Sequence, residues 1–304
     1  MRAITIPAPG ELEWTEVPDP VAGPGQVLIE VAAAGVNRAD LLQVAGHYPP
    51  PAGAPPYPGL EVSGTTPEGR NVCALLAGGG YAEKVAVNAD HLLPVPEGVS
   101  LQDAASLPEA ACTVWSNLTM VARLQAGETV LIHGGGSGIG TFAIQYAKAL
   151  GAHVIATARG FKHKALKELG ADETLDYTTD DWPAMVRADV VLDIMGASYL
   201  ERNLKVLKTN GRLVIIALQG GAQSEINLGV VMRNRLTVAG TTLRARPDEE
   251  KTKIISGVRD EVWPLIGRSI RPVIDRVFPL SQAAQAQALM ASNQHVGKVL
   301  LLPG

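Results

Sequence analysis

The 304-residue chain has only two cysteines, Cys73 and Cys112, which excludes a disulfide framework and a multi-cysteine zinc lobe. Aromatic residues make up 4% of the chain and the formal net charge is −4, so neither stacking platforms nor a basic patch indicate nucleic-acid binding. No apolar run approaches the roughly 18 residues of a membrane span. Residues 1–7 read as a first strand and not as a signal peptide. We therefore expect a cytoplasmic protein that binds neither nucleic acid nor a membrane.

The spacing of glycine and proline divides the chain into two patterns. Residues 1–108 hold short apolar runs between glycines and prolines, which is typical of β-structure, and residues 48–58 form a proline-rich extended loop. From residue 109 onwards, strands and helices alternate, which predicts a parallel doubly wound sheet. The predicted strands of that sheet include residues 129–133, 154–157, 190–193, 213–218 and 237–239.

These patterns predict an α/β protein of two domains. A domain built on the doubly wound sheet is predicted at 109–245, and a β-rich domain at 1–108 and 246–304. The tail belongs to the β-rich domain because residues 296–301 read as a strand that rejoins it.

The glycine-rich run at 133–140 is the most informative motif. An apolar strand leads into it and a helix leaves it, so backbone N–H groups and the helix dipole favour a pyrophosphate there. The domain at 109–245 is therefore predicted to be a dinucleotide-binding (Rossmann) domain. The three positions of the G-x-G-x-x-G pattern fall on Gly135, Ser137 and Gly140, and Gly138 and Ile139 complete the helix start. Ser137 replaces the middle glycine, which indicates a shifted approach or a hydroxyl–phosphate hydrogen bond. The alternative is a glycine-rich turn with no ligand.

Cations follow the second strand, where an NAD enzyme usually has a carboxylate for the ribose 2′-hydroxyl. Arg159 and Lys162 stand there, and Tyr177 follows the third strand at a point from which it could reach the same pocket. Such a cluster suits a 2′-phosphate and predicts NADPH as the cofactor, since each charge-assisted hydrogen bond is worth about 1.5–3 kcal/mol. The alternative is that the lysines at 162 and 164 form a solvated helix face.

At this point the chain resembles the zinc-free quinone oxidoreductase (zeta-crystallin-like) branch of the medium-chain dehydrogenase/reductase superfamily. The resemblance covers nearly the whole length and rests on residues 34–40, 46–51, 58–64, 133–140 and 297–300, with Thr113 between them. It implies a GroES-like β-rich catalytic domain, an active site in the cleft between the domains, and a homodimer through an edge strand at 236–240.

Departures from the alcohol-dehydrogenase branch bear on the metal. Asn37 and Leu60 stand where that branch has zinc-binding cysteine and histidine, and catalytic zinc needs three N, S or O ligands. We therefore expect no metal and a reaction with an electron-poor acceptor. Cys112 has no His/Asp pair beside it in the sequence and is interpreted as a small buried apolar residue.

Three residues are expected to take part in catalysis: the resemblance implies the roles of Asn37 and Thr113, and the place of Tyr48 just before the proline-rich loop suggests its role. Asn37 and Thr113 would line the nicotinamide end of the cofactor, although Asn37 also suits a helix cap and Thr113 a helix-local hydroxyl bond. Tyr48 would bond a quinone oxygen, the alternative being a packed surface aromatic. Glu61 is a carboxylate in an apolar run and is expected to have a buried partner, the alternative being a structural hydrogen bond to backbone.

Three further cofactor contacts are expected at the ends of later strands. Leu218, Gly220 and Thr242 fall where doubly wound sheets bind ligands, and by family analogy the backbone of the first two regions meets the nicotinamide.

The predicted function is metal-free hydride transfer from NADPH to a quinone. The nearest alternative is an NADPH-dependent reductase of enones, alkenals or 2-enoyl thioesters, for which Arg38 and residues 244–246 would supply a weak basic patch. A non-catalytic NADPH-binding protein is the alternative from another class.

Overall fold

The computed structural model describes all residues, 1–304, as two compact units. Met1–Cys112 with Leu243–Gly304 forms the split unit, and Thr113–Thr242 forms the inserted unit. The strands are β1 Arg2–Thr5, β2 Glu13–Glu16, β3 Gln26–Val36, β4 Glu61–Thr65, β5 Asn71–Leu75, β6 Lys84–Asn88, β7 Leu92–Pro94, β8 Thr129–His133, β9 His153–Ala158, β10 Glu173–Asp176, β11 Ala188–Asp193, β12 Leu207–Ile215, β13 Thr237–Gly240, β14 Ile274–Pro279 and β15 Lys298–Leu302. The α-helices are α1 Arg38–Val44, α2 Leu101–Ala104, α3 Pro108–Trp115, α4 Gly138–Ala149, α5 His163–Glu168, α6 Trp182–Met185, α7 Leu200–Val206, α8 Leu228–Asn234, α9 Asp248–Gly257 and α10 Ala283–Ser292.

The inserted unit is built on a six-stranded parallel sheet in the order β10-β9-β8-β11-β12-β13. This is the order 3-2-1-4-5-6 of a Rossmann fold, which brings the carboxyl ends of its strands to one edge. Leu131, Val191 and Leu213 are fully buried on neighbouring strands, as expected for a sheet covered on both faces. The predicted doubly wound sheet is confirmed, and β13 is its edge strand.

The split unit contains a mainly antiparallel seven-stranded sheet and the hairpin β1-β2. The long strand β3 pairs with β4, β6 and β15, so the C-terminal strand closes the sheet formed by the N-terminal segment. The prediction that the tail rejoins the first domain is confirmed by the pairing of Val299 with Val36. The roles assigned to the two predicted domains stay predictions.

Several predicted elements have different bounds. The strand predicted at 213–218 ends at Ile215, because the chain then folds back and the Gly221 N–H donates to Leu218 O. The sequence analysis also missed β14 and α10. The strand β14 has adjacent exposed residues in place of alternation, and α10 is alanine-rich without a clear polar face. No helix is both long and apolar enough for a bilayer span.

Candidate functional site

The turn between β8 and α4 holds the predicted pyrophosphate site. Gly134 has a φ of +68°, a left-handed conformation that favours glycine. Ser137 is the N-cap of α4, and its Oγ accepts a hydrogen bond from the Gly140 N–H at 2.9 Å. The N–H groups of Gly138 and Ile139 have no carbonyl one helical turn before them, so they remain available to an anion at the positive end of the helix dipole.

Close packing explains the two glycines that bracket this turn. A Cβ on Gly140 would lie 2.7 Å from the Cα of Gly135, and a Cβ on Gly135 would lie 2.9 Å from side-chain carbons of Ala156 and Leu166. The strand, turn and helix therefore close only where both positions lack side chains. The hydroxyl oxygen of Ser137 accepts the bond of the helix cap, and its hydroxyl proton can still donate to a phosphate. The predicted bond from Ser137 to a phosphate stays a prediction.

The side chains of the predicted cationic cluster differ in exposure: some are buried or hydrogen-bonded, and one is solvated. Lys162 is only 7% exposed, and a Cβ on Gly136 would lie 3.2 Å from its Nζ, so the ammonium lies against the glycine turn. The Arg159 Nε donates to the Tyr177 hydroxyl at 3.3 Å. The side chain of Lys164, in contrast, is 90% exposed. Lys162, Arg159 and Tyr177 stay predicted cofactor ligands, whereas Lys164 lies on a solvated helix face.

A carboxylate that the sequence analysis missed lies next to this cluster. Asp176 ends β10 in register with Ala158, and its Oδ2 accepts from the Gly160 N–H at 2.6 Å. Hydrogen bonds from the hydroxyl and N–H of Thr178, together with that N–H, lower the pKa of Asp176. The carboxylate therefore fixes the turn after β9. Its position at the end of the third strand was the signal that could have found it.

Two loops meet at the carboxyl edge of the sheet. The Gly220 N–H donates to Met195 O at 2.7 Å, and a Cβ on Gly220 would overlap Ser198. Asp193, fully buried at the end of β11, accepts from the N–H groups of Met195 and Gly196 at 2.9 and 2.8 Å. The segments 194–198 and 218–221 are thus held together, and the half-exposed side chain of Leu218 lies on them.

Asn117, another residue without a role in the sequence analysis, links Thr113 to the end of β13. The Asn117 Nδ2 donates to Thr113 O at 2.7 Å, and the Asn117 Oδ1 accepts from the Thr241 hydroxyl at 2.7 Å. Asn117 is 3% exposed, so both bonds are shielded from water. This amide connects the segment of Thr113 with that of Thr242, two predicted site residues.

In the split unit, the side chain of Asn37 belongs to a buried polar cluster. Asn37 is the N-cap of α1, yet its amide Nδ2 donates to Glu61 Oε1 at 3.0 Å and to Gly35 O at 3.3 Å. Its Oδ1 accepts from the Lys298 Nζ at 2.7 Å. These bonds fix which end of the amide is the oxygen, and they leave Asn37 only acceptor capacity for a further partner.

Lys298 is the buried partner that the sequence predicted for Glu61. The two side chains are 4% and 0% exposed, and the Lys298 ammonium forms a short ion pair with Glu61 Oε1. Glu61 Oε2 accepts from the Glu109 N–H at 2.9 Å. A buried ion pair is tolerated only with such additional hydrogen bonds, because both charges have left water. Gly35 is required beside it, since its Cβ would lie 2.7 Å from the Glu61 Cδ.

Asp40 forms the second buried polar cluster. Its carboxylate accepts from the Asn37 N–H at 2.7 Å, from the Gly59 N–H at 3.0 Å and from the Tyr81 hydroxyl at 3.0 Å. Burial raises the pKa of Asp40 to about 6, although the three donors oppose that rise. Asp40 therefore ties α1 to the loops that contain Gly59 and Tyr81.

Tyr48 begins the proline-rich loop and lies beneath Arg244. The Arg244 Cζ is 5.2 Å from the ring centroid, and Nη1 donates to Tyr48 O at 3.2 Å. Burial, followed by the charge of Glu109, raises the pKa of the Tyr48 phenol, so it holds its proton at neutral pH. The expected basic patch is wrong in one respect: Arg244 is only 4% exposed and presents no free cation.

The other members of that patch also have partners. Arg246 pairs with Glu250 at 3.2 Å, and Arg38 donates to Asn293 Oδ1 at 2.6 Å.

No group of three or more His, Cys, Asp or Glu side chains is placed to hold a metal ion. Leu60 is buried in the core at 1% exposure, and Cys73 and Cys112 are both buried. Burial raises the pKa of the Cys112 thiol well above its ordinary value, in keeping with the interpretation as an apolar residue.

Both parts of the chain match family models of known dehydrogenases. Residues 23–71 match the family model of the alcohol dehydrogenase GroES-like domain, and residues 138–256 match that of the zinc-binding dehydrogenase. A quinone oxidoreductase of Pseudomonas aeruginosa is 30% identical, over 97% of this chain and 96% of its own length. The chain belongs to the medium-chain dehydrogenase/reductase superfamily, in its quinone oxidoreductase branch. It is therefore a dinucleotide-binding oxidoreductase.

Solved structures of this superfamily agree over the full length. The quinone oxidoreductase of Thermus thermophilus, described alone and in complex with NADPH, is 35% identical with a TM-score of 0.89, over 99% of this chain and 100% of that one. The CurK enoyl reductase is 25% identical with a TM-score of 0.84, over 100% and 99%. The predicted fold, a Rossmann domain with a GroES-like domain, is confirmed, and the residue roles stay predictions.

Proposed function

We propose that the chain is an NADPH-dependent quinone reductase that works without a metal. The observation that carries the proposal is Lys162, a buried ammonium against the glycine turn, in a chain similar to a quinone oxidoreductase described with NADPH. A buried ammonium suits a 2′-phosphate better than it suits a neutral ribose hydroxyl, because a hydrogen bond between two charged groups is the stronger one.

The residues of the inserted unit fit a dinucleotide. The helix start at Gly138 and Ile139 offers two N–H groups to a pyrophosphate, and the missing side chains at Gly135 and Gly140 keep the turn tight. Lys162, Arg159 and Tyr177 would hold the 2′-phosphate. When bound, NADPH supplies a hydride, and a quinone needs one proton in addition to become the hydroquinone.

The split unit contributes the predicted acceptor contacts. The Tyr48 phenol is protonated at neutral pH, so it can donate a hydrogen bond or a proton to a quinone oxygen. Asn37 offers only its fixed amide oxygen, as an acceptor, because Glu61 and Gly35 take its N–H groups. The donor set around Asn37 and Leu60 lacks the ligands of a catalytic zinc, which favours an acceptor that needs no Lewis acid.

The direct test is a panel of acceptors with saturating NADPH and a chelator present. We expect turnover with simple benzoquinones and naphthoquinones, unchanged by the chelator. Turnover only with enones or 2-enoyl thioesters would replace the acceptor class. Tight NADPH binding without turnover on any acceptor would support a non-catalytic binding protein, and loss of activity in the chelator would contradict the metal-free mechanism.

Reduction of enones or 2-enoyl thioesters is the second candidate. Its support is the likeness to an enoyl reductase along the whole chain. The structure gives this candidate no free cation at Arg244, which a charged thioester carrier would otherwise meet.

We further propose that β13 pairs with β13 of a second copy of the chain. This edge strand has one unpaired side. Its Val238 is 38% exposed, and Leu228 and Met232 of the preceding helix α8 are 63% and 76% exposed. A Val238→Lys substitution is expected to shift the mass measured by light scattering from dimer to monomer. A wild-type monomer at micromolar concentration would contradict the pairing.

A further inference from the structure

Arg244 is a buried cation that has no carboxylate partner. It is 4% exposed, and its guanidinium donates to three neutral oxygens: Ala77 O at 2.7 Å, Tyr48 O at 3.2 Å and Gln43 Oε1 at 2.7 Å. Burial lowers the pKa of Arg244, which shows that desolvation outweighs its surroundings. Burying a charge costs free energy unless the group is hydrogen-bonded, and here three oxygens accept bonds from the planar guanidinium.

The backbone that it organises is the proline-rich loop, residues 48–58. Arg244 holds the beginning of the loop at Tyr48, through the carbonyl and the ring. Through Gln43 it also holds the end, because the Gln43 Nε2 donates to Pro56 O at 2.9 Å. A single guanidinium thus connects both ends of a loop that has no regular secondary structure of its own.

The floor of the loop consists of consecutive glycines. The Gly79 N–H donates to Tyr57 O at 2.8 Å, and a Cβ on Gly79 would lie 3.0 Å from Pro55 Cγ. A Cβ on Gly78 would lie 2.8 Å from Pro55 O and 3.4 Å from the Arg244 Nη2. The loop therefore lies closer to Gly78 and Gly79 than a residue with a side chain would permit, and the guanidinium is in ordinary contact with the same Gly78.

We propose that Arg244 is a positioning residue that fixes the Tyr48 ring and the 48–58 loop, and thereby sets the affinity for the quinone. The effect on the quinone rests on the proposed function. The cation stacked on the ring also opposes the burial that raises the pKa of Tyr48. Arg244 contacts no reacting atom. It acts by fixing the position of the Tyr48 hydroxyl.

The test combines kinetics with hydrogen exchange. Arg244→Met is expected to raise the KM for the quinone by about tenfold, as loss of a desolvated cation–π contact and its hydrogen bonds implies. The Kd for NADPH should not change. In a Tyr48→Leu background the same substitution should add less than twofold to KM. Amide exchange at Ala54 and Gly79, whose N–H groups donate to Pro51 O and Tyr57 O of the loop, should become faster in Arg244→Met.

The matched control is Arg212→Met in the inserted unit, where the guanidinium also bonds a backbone carbonyl and pairs with Glu128 at 2.6 Å. It should lower stability without changing the quinone KM or the exchange of the loop. Gln43→Met is the milder variant if Arg244→Met does not fold, and it should change both readouts in the same direction.

The two claims fail in different ways. If the wild type reduces no quinone, the proposed function fails, and loop exchange in Arg244→Met alone decides whether Arg244 holds the loop. If the wild type is active and Arg244→Met has an unchanged KM, or an equal KM increase in the Tyr48→Leu background, the positioning role is wrong.

Discussion

The candidate site of the inserted unit consists mainly of backbone groups, whereas that of the split unit consists of buried polar side chains. In the inserted unit the site is backbone: a tight turn at Gly134, glycines that allow close packing, and free N–H groups at Gly138 and Ile139. In the split unit it is buried side chains, with Glu61, Lys298 and Asn37 bonded in one cluster. A site made of backbone therefore tolerates little added side-chain volume, whereas a cluster of buried charged groups tolerates little change in charge.

The largest effect is expected from breaking the charge cluster. Lys298→Met leaves Glu61 buried without its cation, which should lower the free energy of unfolding by about 3–5 kcal/mol. The double variant Lys298→Met/Glu61→Gln should recover part of that loss, because no charge is then left unpaired. Denaturant unfolding followed by fluorescence measures both.

The matched control is Lys208→Met, which removes an exposed partner of Asp189 at 2.8 Å. Exposed pairs contribute about 0–1 kcal/mol, so this variant should stay close to wild type. Equal losses at Lys298 and Lys208 would contradict the view that the split unit depends on buried charge.

The buried titrating groups of the two units should respond to acid in opposite senses. His133, between Thr157 and Asn203, has its pKa lowered by burial to about 4, so wild type should lose about 3 kcal/mol relative to His133→Phe as the pH falls from 6.5 to 4. The unfolded histidine binds its proton within that range and the folded one does not.

Asp40 should change stability with pH in the opposite direction to His133. Its folded pKa, about 6, lies above the ordinary 3.8, so wild type should gain stability relative to Asp40→Asn as the pH falls from 6 to 4. Unfolding curves at pH 7, 5.5 and 4.5 separate the two trends. Parallel pH profiles of the two differences would show that at least one of these groups is not buried as described.

The smallest effect in this series concerns the backbone site and its lysine. Lys162→Gln should weaken NADPH binding by roughly tenfold or more, the loss of one charge-assisted hydrogen bond, and leave NADH binding unchanged. Lys164→Gln is the control from the same region, since that side chain is 90% exposed. Fluorescence titration of wild type and both variants with NADPH and with NADH gives the six dissociation constants, and an equal loss of NADPH affinity in both variants would point to general charge attraction.

The same contrast explains what the sequence could predict. Gly135, Ser137 and Gly140 lie within six residues, so a local pattern predicted the turn, its strand and its helix. Asn37 and Lys298 are 261 residues apart and meet only because β15 pairs with β3. Glu61 was expected to have a buried partner, but nothing local identified Lys298.

The residues that the sequence analysis missed also have their partners far away along the chain. Asn117 and Asp176 gain their roles from contacts with Thr241 and Gly160, which follow from the order of the strands. Arg244 was assigned to an exposed patch because charge alone suggests a surface. Its burial depends on the loop folded over it, which no periodicity reveals.

The most direct single measurement is kcat/KM for NADPH and for NADH with one benzoquinone, using protein freed of metal. We expect turnover with NADPH and a preference over NADH of at least tenfold, which falls by about tenfold in Lys162→Gln, the loss of one charge-assisted hydrogen bond. Equal efficiency with both nucleotides, or no turnover until a divalent metal is restored, would contradict the proposed function.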